Sequence, residues 1–395
     1  MPLLPSLLRQ RALCPRYSLG RLLPPHFPTQ AQALLHTQGS RKSFLVLGIE
    51  SSCDDTAVAL MQSDGNLLCH HHQSQLALHE PHKGIVPGVA MAAHAKVLPH
   101  LLQKVLEDTK IQLKDIDVVA ATRGPGLPGC VSVGYNSGRC IAAMLSRPFI
   151  GVHHMEAHAL TTRWIHPELQ FPFVTLLVSG GHTLLVITRG VGNHEILAST
   201  LDDAMGEAFD KTARSLHIPW MTKRGAGAAL ERAAKSGSSE AILPHLTVPL
   251  STSDWKKRLA FSFAGLKSQM NRYIQSLDPP YPCQELAHGK EGMDPRANDL
   301  AAAFQQTVIA HIQQKLRLGL NECTKRGISP KALVISGAMI AWTGVERYKL
   351  GLTDPLDLPM MPKWSMEGLK NTESPEEDLG TDGKEWRRKV LNKEK

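Results

Sequence analysis

No aspartate or glutamate precedes Glu50 in this 395-residue chain, although Arg9, Arg11, Arg16 and Arg21 all lie in that stretch. An acid-free leader with arginines, leucines, serines and prolines has the composition of a mitochondrial transit peptide, expected over residues 1–40, with the mature chain in the matrix. Arg9 and Arg11 break the early apolar stretch, which argues against a secretory signal. Long apolar runs are also missing, so no segment is read as inserting into a membrane. No Cys-x-x-Cys pair occurs, and the seven cysteines, at 14, 53, 69, 130, 140, 283 and 323, are odd in number and scattered. That argues against a disulfide framework and against a cysteine-built zinc centre. The net charge of +8 falls to +4 without the four leader arginines, which permits RNA binding without demanding it.

What is present is a repeated pattern. Phe44 to Glu50 reads as a buried strand, Ser51 to Asp55 as a polar turn, and Thr56 to Met61 as the returning strand. The same order recurs at Phe173 to Val178, Ser179 to His182 and Thr183 to Ile187. Such turns offer successive backbone N–H groups and small residues, a concavity suited to phosphate oxygens. Alone, either is better read as an ordinary hairpin turn; the pairing suggests a nucleotide held between two lobes. Helices are expected over 91–106, from the Gly124–Gly129 turn to about Leu145, and over 203–216, 225–236 and 297–323, with a late strand at 332–337. The chain length favours two lobes: residues 44–150 for the first, then 151–350 for a metal-binding helix and the second. A charged, solvated tail is expected over 354–395.

His154-Met155-Glu156-Ala157-His158 places two imidazoles at i and i+4, neighbours on one helix face. The spacing suits a shared metal ion as well as it suits two packed histidines. It is not a zinc-protease motif: Met155 follows His154 where His-Glu-x-x-His needs Glu, and Ala157 defeats the inverted pattern from His153. His70, His71, His72, His79 and His82 read as a solvated polar loop. Asp202 and Asp203 suit the start of the helix at 203–216 electrostatically, whereas Asp210 lies two turns in, beyond capping.

Six segments stand in a telling order: Gly48-Ile49-Glu50-Ser51-Ser52-Cys53-Asp54-Asp55-Thr56, Gly124 to Gly129, His154 to His158, Leu177-Val178-Ser179-Gly180-Gly181-His182-Thr183, Gly206 to Lys211, and Phe261-Ser262-Phe263-Ala264-Gly265-Leu266-Lys267. In these the chain resembles the tRNA N6-adenosine threonylcarbamoyltransferases over roughly residues 44–350. The resemblance implies an α/β, two-lobed fold of the actin/sugar-kinase/Hsp70 (ASKHA) type. It implies transfer of threonylcarbamoyl from threonylcarbamoyl-AMP to N6 of the adenosine 3′ of the anticodon, in mitochondrial tRNAs reading ANN codons. By the same resemblance His154 and His158 are ligands of one divalent metal ion per subunit, zinc or iron. Leu177, Val178, Ser179, Gly180 and Gly181 line the adenylate site, and Asp210 holds the ribose. Gly227 and Glu231, in Gly225-Ala226-Gly227-Ala228-Ala229-Leu230-Glu231, match a degraded form of a further contact motif. The resemblance allows a homodimer and names tRNA as partner.

One departure stands out. The family continues after Ile-Ser-Gly with a helix, a strand and a loop ending Thr-Asp-Asn-Gly-Ala-Met-Ile-Ala. Here Ile335-Ser336-Gly337 runs directly into Ala338-Met339-Ile340-Ala341. The absent block would carry the third metal ligand, an Asp, and an Asn on the adenylate. The second lobe is therefore expected to be incomplete and the chain inactive or poorly folded. A non-catalytic nucleotide-binding remnant is the alternative, ahead of a metallopeptidase.

Overall fold

The computed structural model describes residues 43–221, 225–282, 292–331, 333–335 and 340–369. The leader expected at 1–40 lies outside them, as does the join at 336–339. Strand β1 (Leu45–Glu50) turns back into β2 (Asp55–Gln62), which pairs with β3 (Leu67–Ser74). Helix α1 (Pro87–Thr109), β4 (Val118–Gly124), α2 (Pro128–Leu145) and β5 (Phe149–His153) complete a five-stranded sheet of order β3-β2-β1-β4-β5. Its first three strands are antiparallel, and β4 and β5 add in parallel. The second sheet repeats this layout with β6 (Phe173–Val178), β7 (Thr183–Gly190), β8 (Asn193–Ser199) and β9 (Leu333–Ile335), in the order β8-β7-β6-β9. Again an antiparallel meander is followed by a parallel strand, β9 on β6. The fifth position of the second sheet has no strand among the described residues.

The two-residue alternation of the strands sends side chains to both faces. On the first sheet, Leu47, Ile49, Val58 and Leu60 pack under α1 and α2 with Leu98, Val105, Val131 and Tyr135. Val46, Met61, Val118 and Ala120 face the other way, onto Ala157 and Leu160 of α3 (His154–Ile165) and onto α8 (Ile340–Lys349). Each such fully buried Val or Leu contributes roughly 1.5–3 kcal/mol. On the second sheet, Val174, Leu176, Leu185 and Ile187 pack with α4 (Met205–Ser215), α5 (Gly225–Ala234), α6 (Ala264–Gln275) and α7 (Ala297–Lys325). Its opposite face presents Leu177 and Val186 to Met155 and Ala159. Helix α3 is thus sandwiched between the sheets, with alternate faces buried on each.

Two expectations about the chain's organisation are corrected. Helix α8 falls in the range assigned to the second lobe, yet it packs on the first sheet. A Cβ on Gly48 would sit 2.7 Å from the Ala341 backbone nitrogen, so only glycine allows the strand and helix this approach. The tail expected to be solvated from Asp354 is packed as far as Leu369. Asp354 accepts from Gly151 N at 2.8 Å, Tyr135 donates to Leu358 O at 2.7 Å, and Met366 and Leu369 are buried under the second sheet. Backbone hydrogen bonds and apolar anchors between charged residues fix this segment; residues 370–395 lie outside the described set.

Candidate functional site

Strand β5 runs straight into α3, so the start of the helix is buried between the lobes. The His153 side chain caps it, accepting from Met155 N at 3.2 Å, while its Nε2 donates to Trp364 O at 3.0 Å. Burial pushes the His153 imidazole down to about 3, which keeps it the neutral acceptor that the cap needs.

One turn on, His154 and His158 meet. Their Nε2 atoms are 3.1 Å apart and the rings are edge to face. Two nitrogen ligands at about 2.0–2.1 Å from a tetrahedral ion stand about 3.3 Å apart, so the pair fits a shared metal. His154 Nδ1 donates to Glu50 Oε2 at 3.1 Å, which aims the other ring nitrogen at His158. A carboxylate behind a ligating imidazole is the usual outer support of such a site. Glu50 is itself held by Ser52 N and by Thr122 Oγ1. Burial alone would raise its carboxyl; the His154 charge and the hydrogen bonds from His154, Ser52 and Thr122 outweigh that and hold it at about 2. His182, in the second hairpin turn, feels the His154 charge after burial, and both lower it. Among the described residues no third His, Cys, Asp or Glu donor joins the two Nε2 atoms in a ligand group.

Of the expected adenylate residues, Gly180 and Gly181 face open space: no atom lies within 4 Å of a Cβ built on either. Ser179 Oγ accepts from His182 N at 3.0 Å and shapes the turn. Leu177 is 1% exposed, so only its backbone could reach a ligand, and Val178 is half-buried beside it. The start of α4 abuts this turn. Its N-cap, Ala204, supplies no side-chain acceptor, and Gly206 N donates to Ser179 O at 3.2 Å. Met205 N likewise donates to Thr183 Oγ1 at 2.8 Å, so two hydrogen bonds tie the start of α4 to this hairpin and hold it beside the open glycine turn.

Asp210 and Gly227 come together, with Gly227 N donating to Asp210 Oδ1 at 2.6 Å. Burial raises the Asp210 carboxyl, although the hydrogen bond from Gly227 and the Arg214 charge work against it; the Asp54 charge adds a smaller rise. Glu231 does not join them; its carboxylate pairs with Lys235 at 2.8 Å on an exposed surface.

Sequence reasoning missed several roles. Glu50 and His182 both sit in motifs quoted above, but linear spacing does not show that they converge on His154. Asp202 caps α6 rather than α4, accepting from Phe263 N at 2.8 Å. Asp203 holds Lys211 at 2.8 Å and Lys267 at 3.4 Å. The histidines at 70–72 lie on β3, an edge strand, and not in a loop.

Residues 66–351 match the family model of tRNA N6-adenosine threonylcarbamoyltransferase (TsaD). A relative of that name from Zymomonas mobilis is 38% identical over 359 aligned positions, covering 82% of this chain and 92% of that protein. One from Arabidopsis thaliana, described as the probable mitochondrial enzyme, is 36% identical over 79% of this chain and 71% of its own length. The first alignment takes in about 324 residues here, so about 35 of its positions have no counterpart in this chain. Among solved structures, component A of (R)-2-hydroxyglutaryl-CoA dehydratase from Acidaminococcus fermentans covers 78% of this chain and 90% of its own, at 14% identity and a TM-score of 0.40. The two sheets of matching strand order are those of the two-lobed ASKHA fold, and the chain belongs to the tRNA N6-adenosine threonylcarbamoyltransferase family.

Proposed function

We propose that this chain is a shortened mitochondrial, matrix-located form of the enzyme that transfers threonylcarbamoyl from threonylcarbamoyl-AMP to N6 of the adenosine 3′ of the anticodon in tRNAs reading ANN codons. The observation that carries the proposal is the approach of the open Ser179–Gly181 turn, through His182, to the Glu50-supported His154–His158 pair at the start of α3. In this reading the turn and the start of α4 cradle the adenylate phosphate. Asp210, held by Gly227, accepts from the ribose hydroxyls. Glu231 is the weakest of these assignments, since Lys235 already occupies its carboxylate. The attacking N6 forms the new bond to the carbamoyl carbon and gives up one proton to solvent, the mixed-anhydride C–O bond breaks, and AMP leaves with its electron pair. His154 and His158 would hold the metal, zinc or iron, which when bound polarises the carbamoyl oxygen as a Lewis acid. The mild positive charge suits the tRNA partner, and a homodimer is the assembly we assign.

The shortening is supported by the fold's own repeat. In the first lobe β4 is followed by α2 and β5, residues 125–153; in the second, β9 is followed after four residues by α8, on the other sheet. Among the described residues, a helix and a strand are thus what the second lobe lacks, of a size with the roughly 35 unmatched positions. With them goes the third ligand, and two neutral imidazoles hold a divalent ion weakly.

The test is tRNA modification by this chain beside a variant with the block restored between Gly337 and Ala338, both given tRNA and threonylcarbamoyl-AMP. We expect the modified nucleoside from the restored variant and little from this chain. Product from neither would overturn the assigned reaction; equal product from both would overturn the account of the shortening. Binding of an ATP analogue without turnover in either would favour the nucleotide-binding remnant.

A further inference from the structure

On the far side of the first sheet from α3, a second set of donors converges. Cys69 and His71 are two apart on β3 and therefore project from one face of it, towards α1. Asp108 meets them from the last turn of α1, accepting from His71 Nε2 at 2.7 Å. One donor atom from each of the three lies within 4.8 Å of the other two. Sulfur, nitrogen and oxygen ligands of a tetrahedral zinc ion stand about 3.3–3.6 Å apart, so adjustments of side-chain size close the set.

We propose that Cys69, His71 and Asp108 form a surface site for one borderline-soft divalent cation of the Zn2+ class, which staples edge strand β3 to α1. A thiolate, a carboxylate and a neutral imidazole bring two negative charges to a doubly charged ion, and the sulfur selects zinc over magnesium or calcium. Binding exchanges the Cys69 thiol proton for the metal, so one proton is released. The carbonyl end of α1 is partially negative and favours a cation, against which stand Lys104, whose charge acts on Cys69, and Lys110 at the C-cap. Asp108 is half exposed and Cys69 and His71 are part-buried, so an ion can enter and water can fill the fourth position. His70 and His72 project from the opposite face of β3, where His72 lies 3.1 Å from Asp55, and take no part.

Co2+ serves as the probe, because a thiolate ligand gives it a ligand-to-metal charge-transfer band that nitrogen and oxygen ligands do not. The full chain and Cys140→Ser, which alters an exposed cysteine elsewhere, should each develop the band to one equivalent. Cys69→Ser should abolish it, and Asp108→Asn should weaken Co2+ binding at least severalfold. Zn2+ should raise the melting temperature of the full chain and not that of Cys69→Ser, whose metal-free melting also reports whether it folds. No band in the full chain, or an undiminished band in folded Cys69→Ser, overturns the proposal.

Discussion

Glu50 Oε2 accepts a hydrogen bond from His154 Nδ1 at 3.1 Å, joining the end of β1 to the start of α3. The first hairpin thereby sets the tautomer of a histidine more than a hundred residues away in the chain. Replacing Glu50 by Gln keeps its shape but removes the charge that orients the imidazole. Zn2+ affinity at the His154–His158 pair should fall by ~10–100-fold, and the melting temperature should fall too, since a Gln amide cannot accept from Ser52 N, Thr122 Oγ1 and His154 Nδ1 together. Competition titration against a chromogenic chelator, in Cys69→Ser to silence the other donor set, reads this.

Glu156 lies between the two histidines in sequence but points the other way. It is fully buried, accepting from Gly192 N at 2.7 Å, His194 Nε2 at 3.1 Å and Arg347 Nη1 at 3.2 Å. Arg163 adds a second tie to α8, pairing with Glu346 at 2.9 Å. Arg347→Met leaves a buried carboxylate short of its counter-charge and should destabilise the protein by ~3–5 kcal/mol. Adding Glu156→Gln should recover part of that loss. Urea unfolding of the single and double variants checks both, and additive losses would contradict the coupling.

Both hairpins were legible because apolar runs broken by short polar turns have one reading. Helix α8 was not, because sequence order placed it with the lobe that precedes it, and only the close approach of Gly48 and Ala341 reveals its seat. Strand β3 was hidden by its three consecutive histidines: an edge strand with one solvated face lacks the apolar signal of a buried one. His154 and His158 were found from their spacing and the family resemblance, but their support by Glu50 is tertiary and leaves no mark on local sequence.

His311 offers a pH test away from the His154–His158 pair. It is fully buried on α7 and accepts from Ser262 N at 3.2 Å, and burial, then the Lys315 charge, push its imidazole down to about 4. The folded state therefore resists a proton that the unfolded chain takes up near 6.5. Stability should be intact above pH 6.5 and fall progressively between 6.5 and 4, by about 3 kcal/mol in all. His311→Gln should remove that part of the slope in denaturant melts across this range.

The adenylate assignments separate by substitution. Asp210→Asn should weaken ATP-analogue binding about tenfold, since a charge-assisted acceptor is lost. Gly227→Ala would put a Cβ 3.1 Å from Asp210 Oδ1 and should weaken binding by a smaller factor. Glu231→Gln, altering an exposed ion pair, should leave it unchanged. Isothermal titration of the three variants gives the ranking directly.

On the proposed function, His154 and His158 are two of three metal ligands, and the third belongs to the block missing between Gly337 and Ala338. Zn2+ dissociation constants for Cys69→Ser, with and without the block restored between Gly337 and Ala338, test it most directly. The account predicts that restoration tightens binding by more than the ~10–100-fold worth of an outer-shell partner, and that His158→Ala abolishes the gain. Equal dissociation constants for the two forms would contradict it.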